Sequence, residues 1–314
     1  MTTDYKPQRE TKDYQAADAA HHIHAFLDQK ALNEEGPRVI VGGERLHLWD
    51  NDGNRYLDGM SGVGGTDRGY GRKDLAAAAT RQLEQLPYYN MFFHTTHPAV
   101  VELSELLFSL LPKHYSHAIY TNSGSEANEV LIRTVRRYWQ VLGKPQKKVM
   151  IGRWNGYHGS TLAASAMGGR KFMHEMGGVI PDVAHIDEPY WFGHEGDLTP
   201  AEFGLRAARQ LETKILELGA ENVAAFIAEP FQGAGGMIFP PESYWPEIQR
   251  ICRKYDVLLC ADEVIGGFGR TGEWFAHQHF DFEPDTLSIA KGLTSGYIPM
   301  GGLILSRLMA EVLR

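Results

Sequence analysis

Three charged residues each follow directly on a short apolar segment. The segments are AAFIA before Glu229, VLLCA before Asp262 and LSIA before Lys291. Apolar runs of this length between helical patterns predict parallel strands that are buried on both faces. A single charge after a strand is usually the start of a solvated loop. Because ligands bind beyond the carboxyl ends of parallel strands, three in one series predict a shared crevice.

Lys291 is the residue of this set that predicts the chemistry. A lysine between an apolar strand and Gly292 is expected to be partly desolvated, which lowers its pKa and frees the amine to attack carbonyls. A nearby aspartate, here Asp262, is the partner that a pyridinium nitrogen needs. The pair therefore indicates pyridoxal phosphate chemistry, which also requires a phosphate site.

A candidate phosphate site lies after a strand that ends at Thr121. Ser123, Gly124 and Ser125 open a predicted helix, whose first amides and dipole favour an anion. Gly124 would let the backbone approach the phosphate closely. The same residues also fit an ordinary helix cap, because Ser-x-x-Glu is a common capping pattern. The sequence alone leaves both interpretations open.

Two aromatic clusters are further candidates for a ligand pocket. Tyr157 and His158 stand between glycines, which suits a loop that lays a ring against a flat ligand, although a plain aromatic turn has the same composition. Phe92 and its neighbours predict an aromatic pocket wall. The N-terminal histidines 21, 22 and 24 predict a solvated helix face and no metal site, since no carboxylate or thiol partner is expected nearby.

The elements that must position these residues predict an α/β fold. From residue 100 onward strands alternate with helical patterns, which indicates a mainly parallel sheet with helices on both faces. One amphipathic helix over 16–30 and a small antiparallel meander over 36–58 are expected before it. We expect an N-terminal segment of residues 1–59 and a cofactor-binding domain of residues 60–314.

Composition excludes several classes of protein. The 314 residues carry a formal net charge of −8, which argues against nucleic acid as a partner. No apolar run reaches the roughly 18 residues that a membrane span needs. The two cysteines provide no disulfide framework, which favours a reducing, cytoplasmic location.

Taken together, the motifs resemble those of the class III aminotransferases. The segments that carry the resemblance, in family order, are SGSEAN at 123–128, YHG at 157–159, AEP at 228–230, ADEV at 261–264, GFGRTG at 267–272 and AKG at 290–292. The resemblance runs from about Phe26 to the end of the chain and is greatest to the omega-amino acid and diamine:pyruvate branch. It implies the large domain of the fold type I pyridoxal phosphate enzymes.

The resemblance also implies a role for each matching residue. Lys291 would bond to the cofactor carbonyl and then act as the base, and Asp262 would pair with the ring nitrogen. Gly124 and Ser125 would hold the phosphate, Val264 and Tyr157 would pack on the two ring faces, and Glu229 would lie close to Asp262 and the phenolic oxygen of the ring. Ser123 and His158 are further implied cofactor contacts. Phe26, Gly64, Phe92 and Phe172 would line the substrate pocket, with Phe26 and Phe92 serving the partner subunit of a homodimer.

The implied reaction transfers the amino group of an omega-amine, such as putrescine or beta-alanine, to pyruvate or another keto acid. A mutase or decarboxylase would use the same electron sink, so it stays open, as does a scaffold that only dimerises. A nicotinamide-dependent oxidoreductase is disfavoured because the glycines at 64–71 do not have the G-x-G-x-x-G spacing.

The chain departs from the family pattern at two places. Gly64 stands where this branch usually carries a bulky aromatic residue, often tryptophan, which predicts a larger pocket. The C-terminal small domain of the family is expected to be absent, since relatives continue beyond the equivalent of Arg314. The chain is then either a fragment or a truncated form.

Overall fold

The computed structural model describes residues 8–193 and 196–314, which fall into two compact units, residues 8–88 and 89–314. Each unit has its own helices and sheet. The elements of the first unit are α1 (Thr11–His21), α2 (Gln29–Glu35), β1 (Ile40–Glu44), β2 (His47–Asp50), β3 (Arg55–Leu57), the short turn α3 (Ser61–Gly64) and α4 (Lys73–Gln85).

The single helix predicted over residues 16–30 is wrong. Helix α1 ends at His21, and α2 begins only at Gln29. Asp28 starts the second helix, because its side chain accepts hydrogen bonds from the amides of Lys30 and Ala31. Phe26 lies in the break with a φ of 60°, which a continuing helix does not allow.

A carboxylate does lie beside the N-terminal histidines, contrary to the expectation. Asp18 stands one turn before the end of α1, and its two oxygens lie 2.9 Å from His22 Nδ1 and 2.8 Å from His24 Nε2. The ligand atoms of the three side chains lie within 4.8 Å of one another. The spacing of four residues puts Asp18 and His22 on one helix face and could have indicated their contact, whereas His24 reaches back from beyond the helix end.

The antiparallel meander β1–β2–β3 is confirmed. The chain then folds back on it, because Arg45 and Tyr70 form an antiparallel bridge. Gly69 has a φ of +73°, and a Cβ there would lie 2.6 Å from the Arg45 carbonyl oxygen. These contacts place the glycine-rich segment and α4 in the first unit. The boundary between the units therefore follows Tyr88, and the expected division after residue 59 does not match it.

The second unit is an α/β layer structure, as the sequence predicts. Its elements are α5 (Pro98–Leu110), β4 (Tyr115–Thr121), α6 (Gly124–Val141), β5 (Val149–Arg153), α7 (Leu162–Met167), α8 (Lys171–Gly177), β6 (Val183–Ile186), α9 (Pro200–Leu218), β7 (Val223–Ala228), α10 (Tyr244–Lys254), β8 (Leu258–Asp262), α11 (Ala276–His279), β9 (Thr286–Ile289), β10 (Gly301–Ser306) and α12 (Arg307–Leu313). The sheet order is β4-β10-β9-β8-β7-β5-β6. Only β10 with its two neighbours pairs antiparallel among these strands.

Helices cover both faces of this sheet. Every residue of β7 is buried, and alternate residues enter two different cores. Phe226 joins the core that contains α9 and α10, whereas Ile227 joins the core that contains α6 and α12. This burial on both faces explains why the strand reads as an uninterrupted apolar run.

None of the helices among residues 8–193 and 196–314 combines the length and the apolarity that a membrane crossing needs. Cys252 and Cys260 are both buried and unpaired.

Helix α6 begins in close contact with the segments that follow β8 and β9. A Cβ on Gly124 would lie 2.9 Å from Val264 Cγ2 and 3.5 Å from the Ala290 Cβ. A real Cβ essentially never approaches another heavy atom to 2.9 Å. The glycine at this position is therefore required by packing, in addition to any approach of a ligand.

We expect Gly124→Ala to lower the free energy of unfolding by about 1–3 kcal/mol, because the added methyl group overpacks the contact with Val264. Urea denaturation measures this change. Gly177→Ala is the matched control, since a Cβ there meets nothing within 4 Å. Equal stability of the two variants would contradict the packing argument.

Candidate active site

The three charged residues that end the central strands meet at one edge of the sheet. Strands β7, β8 and β9 are adjacent and parallel, so their carboxyl ends lie side by side. Glu229, Asp262 and Lys291 line one cavity of about 300 Å³. A deep pocket at this edge is where α/β sheets of this type bind ligands.

The other walls of the cavity come from three segments. They are the start of α6, the loop after β5 and the chain between β9 and β10. The residues that the sequence predicts for the site and that line the cavity are Ser123, Gly124, Ser125, Tyr157, His158 and Val264, besides the three charges. Those that the sequence did not single out are Asn122, Gly159, Ile265, Ala290, Thr294, Gly296, Ile298, Pro299 and Met300.

The start of α6 is a capped helix terminus that still offers donors. The Ser123 side chain accepts from the Glu126 amide at 3.1 Å, so Ser123 is the cap. The amides of Gly124 and Ser125, which precede Glu126 in the first turn, have no acceptor within a helix. These two amides form the positive end of the dipole of an 18-residue helix. The cap and the anion site, which the sequence left as alternatives, are therefore compatible.

The loop after β5 is attached to this helix start. The Ser160 amide donates to Ser125 Oγ at 3.1 Å. A Cβ on Gly159 would lie 2.5 Å from the same oxygen. The glycine after His158 thus lets the loop lie directly against the first turn of α6.

The Lys291 amine lies in a desolvated environment. Burial lowers the pKa of this amine, and the Asp262 and Glu229 carboxylates partly offset that effect. The direction agrees with the desolvation that the sequence predicts. Lys291 also has a φ of 43°, an uncommon conformation for a residue other than glycine. Such strain tends to persist where the surrounding structure imposes it, as at functional sites.

Asp262 is held by protein donors on both carboxylate oxygens. His158 Nδ1 lies 2.8 Å from Oδ2, and the Val264 amide donates to Oδ1 at 3.0 Å. The Asn128 side chain also donates to Oδ2, at 2.9 Å. The His158 ring therefore contacts a carboxylate, a partner that its aromatic context did not reveal.

Sequence reasoning missed Asn128 and the residue behind it, Ser288. Two signals were present. Asn128 stands four residues after Gly124, on the same face of α6, and Ser288 interrupts an otherwise apolar strand. Both side chains are fully or almost fully buried.

Glu229 is also anchored by backbone amides. Its carboxylate accepts from the Tyr157 amide at 3.0 Å and from the Gly233 amide at 2.9 Å. Burial raises the pKa of the Glu229 carboxyl, the Asp262 charge adds to the rise, and His158 and the two amides oppose it. Buried Arg153 donates to the Glu229 carbonyl oxygen and so fixes the backbone at this point.

Four residues expected in the substrate pocket do not line this cavity. Phe26 and Gly64 belong to the first unit, where Gly64 ends a run of left-handed residues that begins at Ser61. Phe92 is 73% exposed. Phe172 lines a different cavity of about 440 Å³, where the Arg170 guanidinium lies 5.2 Å from its ring centroid.

The donor set of the cavity fits pyridoxal phosphate. Amides at a helix N-terminus suit its phosphate, a buried carboxylate suits its ring nitrogen, and a desolvated amine suits its carbonyl carbon. Three different segments present these groups around one cavity.

Comparisons with known proteins agree with this site. Residues 31–314 match the sequence profile of the family described as aminotransferase class-III. The putrescine–pyruvate aminotransferase of Pseudomonas aeruginosa is 56% identical over 304 residues, which cover 96% of this chain and 67% of that protein.

Solved structures give the same result. An (S)-enantioselective omega-transaminase from Thermomicrobium roseum superposes with a TM-score of 0.94 at 40% identity, covering 98% of this chain and 68% of that one. The omega-transaminase of Pseudomonas jessenii in complex with PMP gives a TM-score of 0.92 at 38% identity, covering 95% and 66%. The chain thus spans about two thirds of the length of these proteins.

The profile match spans most of the chain, and the identity to these enzymes is high. The chain therefore belongs to the class III aminotransferases, whose cofactor is pyridoxal phosphate.

Proposed function

We propose that this chain transfers the terminal amino group of an omega-amine to pyruvate or another keto acid. The observation that carries the proposal is the meeting of Lys291, Asp262 and the start of α6 around one cavity. The name of the 56% identical relative, a putrescine–pyruvate aminotransferase, supports a diamine as donor and pyruvate as acceptor. An omega-amino acid such as beta-alanine is a second donor of the same class.

Each cavity residue that the sequence predicted has a task in this reaction. When bound, pyridoxal phosphate supplies an electron sink for the pair released at the substrate carbon. Gly124 and Ser125, in the first turn of the helix that Ser123 caps, would hold the phosphate, and Asp262 would keep the ring nitrogen protonated. Val264 and Tyr157 would pack on the ring faces, Glu229 would lie close to Asp262 and the phenolic oxygen of the ring, and His158 would be a further contact.

Lys291 has two tasks, which one flexible amine can perform in turn. Its neutral form would hold the cofactor at the carbonyl carbon, with loss of water. Once a substrate amine has taken its place, the freed Lys291 amine would accept the proton of the substrate carbon and later give it up again. Burial favours the neutral form that both tasks need, because it lowers the pKa of the amine.

We expect pyridoxal phosphate followed by borohydride to label Lys291 before other lysines, as measured by peptide mapping. Because the Lys291 pKa is lowered from 10.5, its labelling should reach a plateau at a lower pH than that of an exposed lysine. Lys291→Ala should lose the label, whereas Lys113→Arg should keep it. No label on Lys291 would defeat the proposal.

Once labelling is established, the half-reactions distinguish the enzyme classes. Amine transfer from putrescine to the cofactor and then to pyruvate identifies an aminotransferase. Carbon dioxide release or an isomerised amine would indicate a decarboxylase or a mutase.

We also propose that Gly64 enlarges the substrate pocket. Gly64→Trp should reduce kcat/KM for bulky amines by about tenfold or more and leave putrescine turnover close to that of the unmodified chain. Since Gly64 has a φ of 71°, any side chain there is strained. Gly64→Ala is therefore the control, because it carries the same strain without the indole. Unchanged turnover of bulky amines by Gly64→Trp would be evidence against this proposal.

We propose that the chain forms a homodimer in the cytoplasm, with Phe26 and Phe92 reaching the partner's pocket. The segment after Tyr89 supports an interface, because the adjacent side chains of Phe92 and Phe93 are 73% and 88% exposed and neighbouring exposed apolar side chains can mark an interaction surface. The two unpaired cysteines are consistent with a reducing compartment.

Sedimentation should give twice the chain mass of 35.2 kDa. Phe93→Ser should weaken association, because it removes apolar surface from the patch. Phe192→Ser, at a phenylalanine that is 80% exposed elsewhere, should leave association unchanged. A monomer at micromolar concentration would refute the dimer.

A further inference from the structure

Asn128 connects helix α6 to the carboxylate at the end of β8. Its side chain is completely buried. The amide nitrogen Nδ2 lies 2.9 Å from Asp262 Oδ2 and 2.7 Å from the His158 carbonyl oxygen. The amide oxygen Oδ1 lies 2.7 Å from Ser288 Oγ, on the neighbouring strand β9.

These partners leave the Asn128 amide only one orientation. An ionised carboxylate and a backbone carbonyl accept hydrogen bonds and cannot donate them, so the two hydrogens of Nδ2 must point at Asp262 and His158. Ser288 then donates its hydroxyl hydrogen to Oδ1. A flipped amide would place its oxygen against two acceptors in a buried site, which costs free energy for each unmatched group.

The carboxylate of Asp262 consequently has three protein donors from three elements. Asn128 comes from α6, His158 from the loop after β5 and the Val264 amide from the turn after β8. Together they occupy both oxygens and fix the plane of the carboxylate. Among these three donors, Asn128 is held in its orientation by a further side chain, that of Ser288.

We propose that Asn128, oriented by Ser288, is a positioning residue that fixes Asp262 toward the ring nitrogen of the cofactor. The inference rests on the proposed function of the cavity. Asn128 does not line the cavity, so it acts through Asp262 and is not itself a catalytic residue. The alternative is that Asn128 and Ser288 are a buried polar pair that only fills the core. The positioning role and the core-filling role make different predictions.

The first test uses Asn128→Leu, which has similar volume and no hydrogen bonds, and Ser288→Ala, which removes one hydroxyl. Equilibrium dialysis of the cofactor-free chain with pyridoxal phosphate measures the dissociation constant. We expect it to rise about tenfold in Asn128→Leu and about threefold in Ser288→Ala. The absorption maximum of the bound cofactor should also shift, because it reports the environment of the ring nitrogen.

The second test is kinetic and uses the amine half-reaction. We expect the rate constant at saturating amine to fall about 10- to 100-fold in Asn128→Leu, with less than a twofold change in the amine concentration at half-saturation. Because Ser288 acts only through Asn128, the double variant should resemble Asn128→Leu alone. Thr134→Val is the control, since it removes a hydroxyl that is also buried in α6, six residues further along.

Several results would overturn the inference. A core-filling role predicts an altered melting temperature with an unchanged absorption maximum and unchanged rate. Additive effects of the two substitutions would exclude the coupling through Asn128. If Asn128→Leu does not fold, the test rests on Ser288→Ala. An unchanged dissociation constant for pyridoxal phosphate and an unchanged absorption maximum in that variant would refute the proposal. Borohydride labelling of Lys291 in the parent chain separates these outcomes from a failure of the proposed function.

Discussion

The close approach of helix α6 to the ends of β8 and β9 is the constraint on which the site depends. With no side chain at Gly124, the first turn of the helix lies against Val264 and Ala290. This close packing brings the first turn of α6 and its amides to the edge of the sheet where β8 ends at Asp262 and Lys291 follows β9. An anion site and a carboxylate–amine pair can then serve one ligand, because each is fixed by regular secondary structure.

Burial of two neighbouring carboxyl groups is the second physical feature of the site. Glu229 and Asp262 are each 3% exposed, and both line the same cavity. Two neighbouring carboxylates in a buried site destabilise each other unless donors surround them. Here amides of Tyr157, Gly233 and Val264 supply most of those donors, so the loops that connect the strands also maintain the charges.

The sequence predicts the parts of the site that local patterns determine. Apolar strands followed by Glu229, Asp262 and Lys291 indicate both the sheet edge and its chemistry, because strand burial and strand direction are local properties with a simple geometric consequence. The cap at Ser123 follows from the same kind of local pattern.

Contacts between distant segments could not be predicted. Asn128 and Ser288 are 160 residues apart, and nothing in either neighbourhood shows that β9 passes behind α6. The return of Tyr70 to Arg45, which extends the first unit to Tyr88, is likewise a tertiary contact. His24 meets Asp18 only because the chain turns sharply after α1.

Because β10 runs antiparallel to β9, the position of Lys291 and the position of one cavity wall depend on the same turn. The chain must turn back within the eleven residues 290–300, and this turn includes Thr294, Ile298 and Met300 of the cavity wall. The turn is closed by the Thr294 hydroxyl, which donates to the Ile298 carbonyl at 2.6 Å. Insertions or deletions in this segment would displace Lys291 and this part of the cavity wall together. Substitutions along this turn can therefore change the shape of the pocket. The length of the turn is constrained, because it sets the position of Lys291.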